Sequence, residues 1–184
     1  MFGNRGGRIH DPATKTLLPR RWASKQWICC VLSFEGRRRK VMGEGYTELF
    51  FLDEVTALAA GQRPCFECRR QDALRFAAAW ARAFDLAVPP KALEMDKVLH
   101  EERLENRQKR LHQRDISGLP EGAVLRLDDV IYAVKGGKLL PWSFEGYGAP
   151  EPLPSSGLAE ILTPPATLGA LKSGYNPQWH ESAG

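Results

Sequence analysis

A chain of 184 residues has room for one domain with a real core, or for two small lobes sharing one, and is too short for a large multidomain machine. With 43% hydrophobic and 26% charged residues and five tryptophans, its make-up is that of a globular chain rather than a disordered one. The formal net charge of +4 hides a polarised distribution: residues 1–45 hold ten basic and three acidic side chains, a net of +7, whereas residues 116–184 hold four and seven, a net of −3. A basic end attracts polyanions, nucleic acid before anionic membrane; a solvated basic surface is the plainer alternative. No apolar run approaches the roughly 18 residues of a membrane span, and the start, MFGNRGGRIHDP, lacks the apolar stretch of a secretory signal. A cytoplasmic location is expected, where four cysteines do not suggest a disulfide framework.

In chain order, the first 25 residues, rich in Gly, Pro and Arg, read as an irregular arm. Gln26–Phe34 (QWICCVLSF) is a β-type run, Glu35–Gly36 a turn and Arg37–Met42 a returning strand, which together predict a hairpin. Thr47–Leu52 predicts a third strand. Asp53 suits an N-cap before a short helix at Glu54–Ala60, closed by Gly61. From Cys65 to about Leu86 the apolar residues Ala73, Phe76, Ala77, Trp80, Ala83 and Phe84 recur at helical spacing, with Arg75 and Arg82 opposite; this stripe reads as core. After Val88-Pro89-Pro90 a second helix is expected from about Lys91 to Gln113, acidic early and basic late, as the macrodipole favours. Beyond Gly118, AVLRL, VIYAV and KLLPWS, separated by Asp128-Asp129 and Gly136-Gly137, predict a meander. A Pro- and Ser-rich linker spans 149–156, a strand is expected near Glu160–Leu162, and Pro164–Leu171 reads as a helix with proline in its first turn and Gly174 past its end.

The chemistry centres on Cys65-Phe66-Glu67-Cys68. C-x2-C at a helix start lets two thiolates converge on one tetrahedral ion; a redox pair or two ordinary buried cysteines are the alternatives. The upstream thiols, Cys29 and Cys30, are adjacent, and adjacent strand residues face opposite sides, so one of them is expected to ligate. His10 is the candidate for a fourth ligand. The candidate metal residues are therefore Cys65, Cys68, Cys30, Cys29 and His10, with zinc as the ion.

Ala57-Leu58-Ala59-Ala60-Gly61 followed by Arg63-Pro64-Cys65-Phe66-Glu67-Cys68-Arg69 resembles the zinc-binding domain of the Ada DNA-repair methyltransferase family, over about residues 26–70. The resemblance implies zinc, DNA binding linked to damage, and Cys65 and Cys68 as the closing pair of a four-cysteine site. In that family one upstream cysteine accepts a methyl group from a DNA phosphotriester. Upstream the sequence departs from the family, whose first pair is C-x3-C, and it lacks the family's helix-turn-helix and Pro-Cys-His centre. As a whole the chain is similar to bacterial proteins of comparable length, a likeness that implies no activity.

Among other candidates, His100 with Asp96 or neighbouring carboxylates could serve as acid and base in a hydrolase or nuclease, although a solvated polar helix face is the plainer reading. His112 would lie roughly 18 Å from His100 on a continuous helix, too far for one metal. Trp142, Tyr147 and Trp179 offer stacking surfaces or cover for a β-lobe. No phosphate-binding glycine loop, G-x-S-x-G or H-E-x-x-H is present. The expected nucleic-acid contacts are Arg20, Arg21, Lys25, Arg37, Arg38, Arg39 and Lys40, with Arg5 and Arg8 in the same arm.

The fold expected is α+β: a metal-binding β-hairpin and helix unit with its basic arm at 1–88, a helical connector at 89–117 and a β-rich lobe at 118–184. The function expected is that of a zinc-stabilised nucleic-acid-binding protein. An enzyme, either a zinc-thiolate alkyl acceptor or a hydrolase, and a protein-interaction module are the alternatives.

Overall fold

The computed structural model describes residues 1–37 and 40–184 and is an α+β fold; Arg38 and Arg39 lie outside the described residues. The N-terminal arm is irregular only after its first residues: from Gly6 to Gln26 it holds turns, bends and the isolated bridge of His10 with Leu17. Its first residues form β1 (Phe2–Arg5), which pairs antiparallel with β2 (Trp27–Cys30), placing Phe2 opposite Cys30 and Arg5 opposite Trp27. The expected hairpin within residues 26–42 is therefore replaced: among the described residues no strand follows Cys30 until β3 (Leu49–Phe50). The physical reason is burial. Phe2 is 2% exposed and gives β1 an apolar anchor, whereas RRRKVM lacks the alternation that would bury one face. Gly3 makes the pairing close, because a Cβ there would stand 2.5 Å from the Ile28 carbonyl oxygen and 1.9 Å from Gln62 Oε1.

The next helix is α1 (Glu54–Ala59), with Asp53 as its cap. Asp53 Oδ1 accepts from Thr56 N at 2.9 Å, and Thr56 Oγ1 accepts from Asp53 N at 3.0 Å, a reciprocal capping box. Gly61, at φ +84°, turns the chain into β4 (Arg63–Pro64), which runs parallel to β2 and completes the sheet β3-β1-β2-β4. Then come α2 (Arg70–Ala83) and α3 (Ala92–Arg103).

The expected second helix thus stops ten residues short of Gln113. Asn106 and Arg107, at φ 49° and 65°, make a two-residue turn joining β5 (Leu104–Glu105) to β6 (Gln108–Lys109). Two left-handed residues are what a twisted hairpin of this length requires, and Asn tolerates that conformation.

A six-stranded antiparallel sheet follows. Its strands are β7 (His112–Asp115), β8 (Val124–Leu127), β9 (Val130–Lys135), β10 (Lys138–Pro141), β11 (Glu151–Pro152) and β12 (Leu158–Ile161), in the order β11-β10-β9-β8-β12-β7. The meander turns fall where expected, at Asp128-Asp129 and Gly136-Gly137, all four with positive φ. The last helix, α4 (Pro165–Lys172), has proline in its first turn and Gly174 at φ +91° beyond it.

The main core joins α2, α3 and α4 through Phe76, Trp80, Met95, Leu99 and Ala170, with the Tyr175 ring edge-on to Phe76 at 5.1 Å. Gly169 admits the close approach of α4, since a Cβ on it would lie 3.2 Å from Ala83 Cβ. A second core, around Ile116, Leu125, Val134 and Ile161, fills the six-stranded sheet. Val55 and Ala59 of α1 pack on its other residues Val124, Ala133 and Leu140, where Trp142 and Trp179 add cover. Packing of α1 and α2 on the C-terminal elements thus crosses the boundaries expected at residues 88 and 117.

Candidate metal centre

Cys30 ends β2, and Cys65 and Cys68 open the turn between β4 and α2. Cys65 N donates to the Cys29 carbonyl at 3.1 Å, and Arg69 N to the Cys65 carbonyl at 3.1 Å, so the backbone itself seats the C-x2-C turn beside the strand. The three sulfurs lie within 4.8 Å of one another. A tetrahedral zinc with Zn–S bonds of ~2.3 Å needs sulfurs about 3.8 Å apart, a contraction of at most about 1 Å. Three close cysteines can thus coordinate a metal ion. Phe2, Ile28 and Tyr46 form the apolar wall around them.

The three thiols divide one negative charge unequally. Cys65 is pulled down to about 5, first by the hydrogen bond from Cys30 and then, against the opposing effect of burial, by the amides of Cys68 and Glu67. Cys30 is pushed up by that same hydrogen bond and by burial, and Cys68 is pushed up by burial. A cation held by all three sulfurs would displace the protons that remain on Cys30 and Cys68.

The other two expected ligands lie outside this cluster. Cys29 faces the opposite side of β2, wholly buried, where Arg69 Nη1 donates to its sulfur at 3.3 Å; burial, with Glu54 nearby, pushes its thiol up to about 12. His10 is buried too, but its Nδ1 meets Thr47 Oγ1 at 2.5 Å and its Nε2 the Gly43 carbonyl at 2.8 Å. It ties the loop around residue 45 to the arm. Among the described residues, no fourth His, Cys, Asp or Glu side chain joins the three sulfurs.

The basic candidates are spread around β1 and β2. Arg20 donates to the Arg8 carbonyl. Arg21 and Lys25 are exposed and give their carbonyls to Arg5 and Arg103. Arg37 is engaged: it pairs with Glu67 at 2.7 Å and Glu35 at 3.7 Å and lies over the Phe34 ring. Since Glu67 stands between the two C-x2-C cysteines, this pair joins the chain after β2 to the metal turn. Lys40 is exposed.

The acid–base pair weighed for His100 does not assemble. Asp96 accepts two bonds from Arg63, at 2.9 and 2.7 Å, in a buried pair. His100 Nδ1 accepts from Arg103 at 3.0 Å, its ring edge-on to Trp22 and Trp27. Burial, with Arg103 and Lys25 adding, lowers its basicity. His112 meets the Glu102 carbonyl at 2.8 Å.

Sequence reasoning missed the buried network beneath the metal turn. Arg69 binds Glu54 at 2.7 Å and Asp72 at 2.7 Å, while Glu54 accepts from Tyr175 OH at 2.5 Å and Gln178 N at 2.8 Å. Its local signal is Arg69 directly after Cys68, with Asp72 three residues on. The Tyr175 and Gln178 partners, more than a hundred residues from Glu54, leave no local trace.

Comparison with known proteins finds no family model, curated protein or solved structure that matches this chain.

Proposed function

We propose that the chain is a zinc protein that binds nucleic acid, the ion fixing the strand that carries the basic arm. One observation carries this reading: Cys30 is the last residue of β2, and Arg20, Arg21 and Lys25 lead directly into that strand. An ion shared by Cys30, Cys65 and Cys68 would fasten β2 to the start of α2 and hold the cations in register for phosphate contact. Three thiolates and no carboxylate in the cluster suit zinc over a hard cation. The likeness of residues 57–69 to the Ada zinc-binding segment supports the same ion and a link to DNA damage. The test is elemental analysis of the purified chain, with anisotropy titration of a labelled oligonucleotide at rising salt. One zinc per chain and affinity that falls steeply with salt are expected. Absence of metal together with absence of binding at low salt overturns the reading.

A second reading rests on the number of sulfurs. Three protein ligands leave a bound zinc one open position, as in sites where a zinc-bound thiolate acts as nucleophile. Transfer of a methyl group from a DNA phosphotriester to Cys30, Cys65 or Cys68 would form a thioether and leave a phosphodiester. A mass gain of one methyl on one of these cysteines after incubation with methylated DNA is the expected sign; unmodified cysteines exclude it.

A further inference from the structure

A second cluster of charge lies on the far side of β1 and β2 from the sulfurs' turn, and it is wholly of one sign. A cavity of about 170 Å³ is lined by Arg5, Arg21, Trp27, Arg103, Arg107 and Lys109. No carboxylate lines it, and among the described residues none of its five cations forms an ion pair. The cations come from four places in the chain: β1, the loop before β2, the end of α3, and the β5–β6 hairpin.

Four of them, Arg5, Arg103, Arg107 and Lys109, are held in place by backbone carbonyls, an indole and, for Arg103, His100 Nδ1, not by opposite charge. Arg103, 0% exposed, donates to the carbonyls of Gly61 at 2.8 Å and Lys25 at 2.7 Å. Arg107 reaches the Pro19 carbonyl at 3.2 Å, and Lys109 Nζ the Ala59 carbonyl at 2.7 Å. The guanidinium groups of Arg5 and Arg103 lie 4.4 and 3.9 Å from the centroid of the Trp27 ring. Gly61 leaves room for the Arg103 stem, since a Cβ on it would lie 2.6 Å from Arg103 Cβ. The Nε atoms of Arg5 and of Arg103 are buried with no hydrogen-bond partner. Buried donors without acceptors are costly, and like charges confined together add to the cost.

The groups also depress one another. Burial, then Arg103 and Arg5, bring Lys109 down to about 7; burial, then Arg5 and Arg63 against the pull of Asp96, bring Arg103 to about 9. Asp96, the acidic group that acts on Arg103, is already bound at both oxygens by Arg63.

We propose that this cavity is a phosphate-binding site, its planar guanidinium forks and the Lys109 ammonium converging on the oxygens of one phosphate. For the source of that phosphate the inference rests on the nucleic-acid reading above: it is the backbone or end phosphate of a polynucleotide. The anion site itself stands apart from that reading, because free phosphate presents the same oxygens.

The test uses the full chain as purified. Calorimetric titration with inorganic phosphate in low-salt chloride buffer is expected to show one site. In the double variant Arg21→Ala/Arg107→Ala, which leaves the buried Arg103 in place, affinity should fall about tenfold or more; Lys138→Ala, on the six-stranded sheet, should leave it unchanged. Binding at about pH 8.5, where inorganic phosphate is already the dianion and Lys109 is neutral, should take up protons, seen as a heat that varies with the buffer, and Lys109→Met should abolish that uptake. Absence of phosphate binding, or equal binding by the double variant, overturns the site. Oligonucleotides with and without a 5′-phosphate separate the sources. A matching loss of oligonucleotide affinity in the double variant supports a polynucleotide. Phosphate binding without oligonucleotide binding keeps the site and removes the nucleic-acid reading. Oligonucleotide binding indifferent to both substitutions, with no phosphate bound, removes the site alone.

Discussion

Arg69 Nη1 donates to Cys29 Sγ at 3.3 Å, on the face of β2 opposite the one where Cys30 meets Cys65 and Cys68. Two adjacent thiols therefore have different work: one belongs to the candidate metal centre, the other to the buried network beneath it. Cys29→Ala should leave the zinc content unchanged, whereas Cys30→Ala, Cys65→Ala and Cys68→Ala should each lower it. Metal analysis of the four variants decides this, and loss of metal in Cys29→Ala would overturn the assignment.

Arg69→Met should be among the most damaging single changes in the chain. The Arg69, Glu54 and Asp72 side chains are 1%, 1% and 13% exposed, and removing the cation leaves Glu54 charged and buried, with only Tyr175 and a backbone amide as partners. Breaking a buried pair from one side costs about 3–5 kcal/mol. A urea unfolding curve checks it; a loss below about 1 kcal/mol contradicts the network.

The Asn106-Arg107 turn makes a prediction of opposite signs. Asn106→Val places a β-branched residue at φ 49° and should cost about 1–2 kcal/mol. Asn106→Gly should be neutral or mildly stabilising, because glycine adopts that conformation freely. Equal destabilisation by both would show that the side chain, not the backbone conformation, matters here.

Lys109 gives a pH signature. Its pKa in the folded chain is held down to about 7 from an ordinary 10.5, so between those values the unfolded chain binds more protons than the folded one. Its contribution to stability must therefore rise with pH across that window and be lost as pH falls through about 7. Lys109→Met, measured by urea unfolding from pH 6.5 to 9.5, should flatten the rise relative to the parent chain. Parallel profiles would place the ammonium in water.

The legible parts of the sequence were those whose cause is local. The Asp53 cap, the paired turn residues at 128–129 and 136–137, the proline opening α4 and the apolar stripe of α2 each carry their reason within a few residues, and each stands where it was expected. The misses came from partners distant in the chain. Nothing in FGNR announces that it will take the place beside β2, a decision made by the burial of Phe2 and the closeness that Gly3 permits. The β5–β6 hairpin was hidden because Glu, Arg, Gln and Lys are good helix formers, and one Asn was the only local sign of the turn. At the candidate centre, strand alternation separated Cys29 from Cys30 without saying which of them joins the pair, which the structure gives as Cys30, and the C-x2-C itself followed from spacing. The place of His10 did not, since it depends on Thr47 and Gly43 coming to meet it.

The contacts of residues 175–180 with Asp53 and Glu54 set an order in synthesis. Tyr175 and Gln178 bind Glu54, and His180 N reaches Asp53 at 3.1 Å, so residues near 180 complete the seat of the helix that underlies the cysteines. On the ribosome the cysteine-bearing segments emerge first, yet the charge beneath them has no full set of partners until more than a hundred further residues are made. The C-x2-C turn thus gains its full support late, and a pause before residue 175 would hold the thiols in an unfinished and oxidisable state.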